Sequence, residues 1–225
     1  DANGEASISV AEINDGSTDN CSVDTTTIDI TNFDCSNIGE NTVTLTVTDN
    51  AGNSSTCTTT VTVEDNVAPV ANCVAPFTVQ LDANGQASIT AADINDSSTD
   101  NCSVDTTSID ITDFDCSNIG DNTVTLTVTD TSGNSSTCTT TVTVEDNVAP
   151  VANCVAPFTV QLDANGEASI TVNDIDNGST DACGIATSSI DVTDFNCSNV
   201  GDNTVTLTVT DVNGNTSTCT TTVTV

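Results

Sequence analysis

The chain contains no lysine, arginine, histidine, tryptophan, tyrosine or methionine, against 33 carboxylates in 225 residues. Each absence closes a class of chemistry. Without basic side chains there is no Ser–His or Cys–His pair, no Schiff-base amine, no guanidinium clamp and no imidazole metal ligand. A formal charge of −33 with no cationic side chain repels phosphate backbones and anionic lipid head groups. Nucleic acid and membrane surfaces are therefore excluded as partners. No apolar run approaches the roughly 20 residues of a membrane span, so no membrane insertion is expected in this segment. The missing lysine also forbids Lys–Asn isopeptide staples, which leaves covalent bracing to cysteine. Carboxylate pairs can hydrolyse glycosides, but here no aromatic sugar platform accompanies them and the same acids recur in every copy. The chain is expected not to be an enzyme.

An acidic chain poor in aromatics can be disordered. Here the hydrophobic fraction is 36% and falls in alternating runs, which favours folded β-structure. Eleven cysteines without CxxC spacing or histidine suit disulfides better than zinc. Disulfides imply an oxidising compartment, hence an extracellular, cell-surface setting.

Self-similarity organises the chain. DANGEASI at Asp1 returns as DANGQASI at Asp82 and DANGEASI at Asp163, a period of 81 residues. Cys21, Cys102 and Cys183 keep that period, as do Cys35, Cys116 and Cys197, and then Cys57, Cys138 and Cys219. Cys73 and Cys154 form a fourth class of two members. The expected domains are residues 1–63, a repeat without its first strand, then 64–144 and 145–225. This pattern reads as a fragment of a longer array.

In the second repeat Phe77, Val79 and Leu81 share one parity, and Ala87, Ile89 and Ala91 continue a buried face after the Asn84-Gly85 turn. Ile109 and Ile111 alternate again. Val124, Leu126 and Val128 point inward while Thr123, Thr125, Thr127 and Thr129 point outward; on the last strand Cys138, Thr140, Val142 and Val144 share a face. Short strands without helical periodicity predict an all-β fold of tandem immunoglobulin-like sandwich repeats, laid end to end. Domains of this size are marginal, so disulfides matter. Four cysteines per repeat allow three pairings. In a sandwich the first and last strands begin at the same pole, which favours Cys73–Cys138 and Cys154–Cys219. Cys102–Cys116, Cys183–Cys197 and Cys21–Cys35 are then expected as local staples, with Cys57 left over.

The order of motifs resembles the hyalin-repeat (HYR-like) modules of the immunoglobulin-like superfamily. The residues that carry the resemblance are Ala-Pro at Pro69 with Cys73, the TDNC or TDAC segment ending at Cys102 or Cys183, VTLTVTDxxGN ending at Asn134 or Asn215, and the closing TCTTTVTV strand. Arrays of this kind resemble the repeat regions of giant Bacteroidota surface adhesins and gliding-motility filaments. The resemblance implies adhesion or a stalk rather than an activity.

Acidic residues recur at fixed places. The linkers carry Glu64-Asp65-Asn66 and Glu145-Asp146-Asn147, resembling the acidic Asp-Asn-x-Ala-Pro joints of cadherins. In a sandwich the linker, the loop before the second cysteine class and the last turn meet at one pole. Clustered oxygen ligands are what Ca²⁺ takes, six to eight of them. The expected calcium ligands are Glu64, Asp65, Asp96, Asp100 and Asp130 at one joint, and Glu145, Asp146, Asp176, Asp181 and Asp211 at the next. The competing role for such acids is turn capping and surface solvation. The threonine ladders fit half-exposed strands, and Asn53, Asn134 and Asn215 head N-x-Ser/Thr sequons on the last turn. The leading function is a non-catalytic stalk or fibre segment whose partners are neighbouring repeats. The alternative is a module binding a glycan or surface protein through its loops.

Overall fold

The computed structural model describes all residues, Asp1–Val225. The chain is all-β apart from single turns of helix. It divides into two compact units. The first holds Asp1–Val74, Thr90–Asp110 and Thr125–Thr140; the second holds Ala75–Ile89, Ile111–Val124 and Thr141–Val225. No helix is long and apolar enough to cross a membrane.

The second unit contains the whole third repeat. The strand Thr216–Thr224 has Phe158–Thr159 as a parallel neighbour on one side and Asp202–Asp211 as an antiparallel neighbour on the other, followed by Ile185–Ile190. A separate ladder pairs Glu167–Ser169 with Asp194–Asn196. Alternation decides what lies between the two sheets. Val205, Leu207 and Val209 turn inward from one strand and Val223 from its neighbour; Ile170 and Phe195 meet them from the other sheet. The threonines between them face outward, where β-branched side chains suit a pleated, half-exposed surface. Each fully buried aliphatic or aromatic side chain contributes about 1.5–3 kcal/mol. An edge strand parallel to the last strand, with a second small sheet closing the core, is an immunoglobulin-like sandwich. The middle repeat has the same strand order, with Val124, Leu126 and Val128 fully buried.

In the first unit the first repeat builds a three-stranded sheet from Val23–Ile28, Gly39–Asp49 and Ser54–Val63, and a small ladder from Ala6–Ser7 and Asn32–Phe33. Its core centres on Phe33, Val43 and Leu45. No parallel strand lies against Ser54–Val63. That strand is accordingly more exposed than its copies.

Two expectations need correction. The face carried by Ala87 and Ile89 does not continue as strand through Ala91. Instead Ala91–Ile94 forms one helical turn, repeated at Val10–Ile13 and Val172–Ile175. The cause is a capping sequence, Thr90-x-x-Asp93 in the middle repeat, in which the Asp93 carboxylate accepts from the Thr90 amide at 2.8 Å and its hydroxyl at 2.7 Å. The turn drives Ile94 and Ile175 to complete burial.

The second correction concerns the cysteines. Cys73–Cys138 and Cys154–Cys219 are bonded within their repeats. The local staples Cys21–Cys35, Cys102–Cys116 and Cys183–Cys197 are absent. Cys35 bonds Cys102, and Cys116 bonds Cys183, each from one repeat to the next. Cys21, Cys57 and Cys197 are free and exposed. Geometry explains the change. Between Cys102 and Cys116 runs the six-residue strand Val104–Ile109, which spans about 17–20 Å. The two cysteines therefore sit at opposite poles, whereas a disulfide needs Cα atoms about 4.4–6.8 Å apart. The cross-repeat pairs meet at 5.4 and 5.2 Å. Gly85, at φ +73°, makes room for the second, since a Cβ there would lie 2.7 Å from Cys116 Sγ.

Candidate functional site

Each unit contains one cluster of three carboxylates: Asp65, Asp100 and Asp130 in the first, Asp146, Asp181 and Asp211 in the second. In each cluster the carboxylate oxygens lie within 4.8 Å of one another. The three residues come from three places: the linker, the loop ahead of the cross-repeat cysteine, and the turn between the last two strands.

Local hydrogen bonds fix each carboxylate. Asp211 Oδ1 accepts from the amides of Asn213 and Asn215, both at 2.8 Å, and its Oδ2 accepts from Asn215 Nδ2 at 2.8 Å. The same Nδ2 donates to the backbone oxygen of Asp146 at 3.0 Å, which ties linker to turn. Asp130 and Asn134 repeat this arrangement, with Asn134 Nδ2 reaching the Asp65 backbone oxygen at 3.0 Å. Burial alone would raise the pKa of Asp130 and Asp211, but the donors on these turns, led by the asparagine side chains, outweigh it and hold both below the ordinary value. Asp181 Oδ1 accepts from the amides of Cys183 at 2.8 Å and Gly184 at 2.9 Å. Asp100 Oδ2 accepts from Cys102 and Ser103. Each cross-repeat disulfide thus begins one hydrogen bond away from a cluster carboxylate.

Not every oxygen is used. Asp146, 6% exposed, spends Oδ1 on the Val148 amide at 3.0 Å, while its buried Oδ2 has no partner. Asp65 Oδ2, Asp100 Oδ1 and Asn101 Oδ1 are likewise buried and unpartnered. Buried polar atoms without partners are uncommon and call for an explanation. Converging anionic oxygens with no cationic side chain in the chain fit a hard divalent cation, which takes oxygen donors. Asp65, Asp100 and Asp130 would hold it at one site, where Asn101 Nδ2 donates to Asp65 Oδ1 at 3.3 Å, and Asp146, Asp181 and Asp211 at the other.

Of the expected ligands, Glu64, Asp96, Glu145 and Asp176 lie outside the clusters. Glu64 is exposed, and exposed Glu145 accepts from Gln80 Nε2 at 2.8 Å. Asp176 caps a turn, accepting from the Ser179 amide and hydroxyl at 2.8 and 2.7 Å. Its true period mates are Asn14 and Asn95, which accept from Ser17 and Ser98 in the same way. A position served equally by Asn and Asp works by hydrogen bonding, not by charge. Asp96 corresponds to Asn177, so pairing it with Asp176 was a one-residue slip. The Asn101 side chain, whose Nδ2 donates to Asp65 Oδ1 at 3.3 Å, was missed, and its replacement by Ala182 one period later was the available signal.

No family model matches the sequence, and no curated protein matches it. Among solved structures, the protocadherin gamma B7 extracellular cadherin domains 1–4 align over 91% of this chain and 67% of that one, at 13% identity and a TM-score of 0.37. A protocadherin gamma B7 EC3–6 cis-dimer structure aligns over 83% of this chain and 60% of that one, at 17% identity and a TM-score of 0.36. The titin I-band fragment I67–I69 aligns over 82% and 74%, at 10% identity and a TM-score of 0.37. Likenesses of this size say nothing about function.

Proposed function

We propose that the chain is a non-catalytic structural segment, a stalk or fibre, of an extracellular cell-surface adhesin or filament. On this reading 1–63, 64–144 and 145–225 are successive folding units laid end to end, each the partner of the next. The observation that carries the reading is the duplicated joint. At one period of 81 residues the chain repeats a cross-repeat disulfide together with a three-carboxylate cluster. Calcium is the cation assigned to both clusters, since an extracellular setting supplies it and the donors are all oxygen. A disulfide closing a loop of this length contributes about 4 kcal/mol, and here it fixes one repeat against another. Disulfide bonding also supports the extracellular assignment. The alternative, a glycan- or protein-binding module, draws on the segments where the two complete repeats differ most, 91–97 against 172–178 and 103–107 against 184–188, the latter lying largely on the strand Ile185–Ile190.

The test is small-angle scattering on the full chain and on a Cys35→Ser/Cys116→Ser variant, each in calcium and in chelator. The narrowest distance distribution is expected for the wild type in calcium, and the broadest for the variant in chelator. Identical distributions in all four conditions would remove the proposed joint.

A further inference from the structure

Within each unit, two cross-links join the same two parts of the chain. Asp65 lies just past the strand Ser54–Val63, and Asp146 just past Ser135–Glu145. Cys35 and Cys116 stand on the helical turns Cys35–Asn37 and Cys116–Asn118 of those same repeats. The following repeat answers with a single loop, which carries Asp100 and Cys102 in the first unit and Asp181 and Cys183 in the second. The carboxylate cluster brings the aspartates together, and the disulfide bonds the cysteines.

Hydrogen bonds make the two cross-links one piece. Asp181 Oδ1 holds the amides of Cys183 and Gly184 at 2.8 and 2.9 Å. Asp100 Oδ2 holds those of Cys102 and Ser103 at 2.8 and 3.0 Å, which leaves Asp100 Oδ1 buried and unpartnered. In the second cluster the free oxygen is Oδ2 of Asp146, a residue only 6% exposed. The first unit has a further link. Asn101 Nδ2 donates to Asp65 Oδ1 at 3.3 Å and to Cys102 Sγ at 3.5 Å, whereas Ala182 takes its place in the second. Groups that orient a metal ligand change metal affinity by about 10–100-fold when removed. Without a cation the clustered carboxylates repel, and the disulfide holds the loop against that repulsion. A divalent cation reverses the force and draws the loop toward the part of the chain that carries the partner cysteine.

On the reading that the clusters hold a divalent cation, we propose that each cross-repeat disulfide is a redox control on the cation site beside it. Reduction of Cys35–Cys102 or Cys116–Cys183 weakens the cation at its own cluster, and the cation protects that bond from reduction. A dithiol reductant supplies two electrons and two protons; the protein S–S bond opens to two thiols, and the reductant closes to its own disulfide. Thermodynamic linkage makes the two effects equal in size.

The experiment equilibrates the full chain with reduced and oxidised dithiothreitol at a series of ratios, in calcium and in chelator. Alkylation and peptide mapping read each pair. In calcium the ratio that opens half of Cys35–Cys102 and of Cys116–Cys183 is expected to rise about fivefold or more, with the larger rise at Cys35–Cys102, where Asn101 adds its bridge. Cys73–Cys138 and Cys154–Cys219, each inside one repeat, are expected to open at unchanged ratios. Calcium titration of Cys116→Ser/Cys183→Ser is expected to show the second site weakened by the same factor as the Cys116–Cys183 shift, and the first site unchanged. Two saturable sites with unshifted opening ratios would overturn the coupling and leave the cation assignment standing. A shift shared by all four disulfides would also overturn it, because that reports the stability of the whole chain. No calcium uptake by the oxidised chain would overturn both.

Discussion

Replacing Asp146 by asparagine should change the sign of its effect with the ion content of the buffer. The asparagine amide oxygen keeps the acceptor that Asp146 offers to the Val148 amide, so the linker turn survives. What disappears is one negative charge from three whose oxygens lie within 4.8 Å of one another. At that separation and an effective dielectric of about 20, each pair repels by about 3.5 kcal/mol. The substitution removes two of the three pairs, about 7 kcal/mol on the same Coulomb scale before solvent screening is counted. Amide donors on Asp181 and Asp211 spread the charge, so an observable gain of about 1–2 kcal/mol is expected in chelator. That gain raises Tm by about 2–4 °C per kcal/mol for a unit of 150–250 residues and about 4–8 °C for a smaller one. In calcium the order reverses. A bound ion at a hundred times its Kd stabilises by about 2.7 kcal/mol per site, and the variant forfeits this at the second cluster. Calorimetric melts of both proteins in chelator and in calcium give the four numbers. Equal destabilisation of Asp146→Asn in both buffers would refute the reasoning, because it would mean the carboxylate is a turn residue and nothing more.

Three other outcomes are expected. Asn101→Ala should weaken ion binding at the first cluster by severalfold in a calcium titration, since Asn101 Nδ2 donates to Asp65 Oδ1 at 3.3 Å and holds that carboxylate in place. Leu207→Ala should destabilise the third repeat by about 2–5 kcal/mol in denaturant unfolding, because Leu207 is fully buried among the aliphatic side chains of its core. Asp163 accepts from the amides of Glu167 and Asn165, which hold its pKa below the ordinary 3.8. Its folded value is the lower one, so its stabilisation is complete above about pH 4 and is lost as pH falls through the depressed value. The gap in melting temperature between wild type and Asp163→Asn should shrink over that acid range.

The sandwich was legible because its signals are local. Alternation in NTVTLTVTD determines which face of Gly120–Asp130 is buried, and Val124, Leu126 and Val128 occupy it. The single helical turns were equally local, but the capping pattern Thr90-x-x-Asp93 reads as loop chemistry until the helical turn is seen. The disulfides across repeats were not legible. Cys102 and Cys116 look close along the sequence, and only the intervening strand Val104–Ile109 reveals that they stand at opposite poles. The acidic site was half legible. Asp65, Asp100 and Asp130 recur with the period and converge, as do Asp146, Asp181 and Asp211, whereas Asp176 recurs with asparagine, which identifies a hydrogen-bonding role once the register is exact to one residue.

Isothermal calcium titration of the full chain tests the account most directly. It predicts two saturable sites per chain, matching the two carboxylate clusters, one lost in Asp146→Asn and the other in Asp65→Asn. A titration with no saturable uptake, or one indifferent to both substitutions, would contradict it.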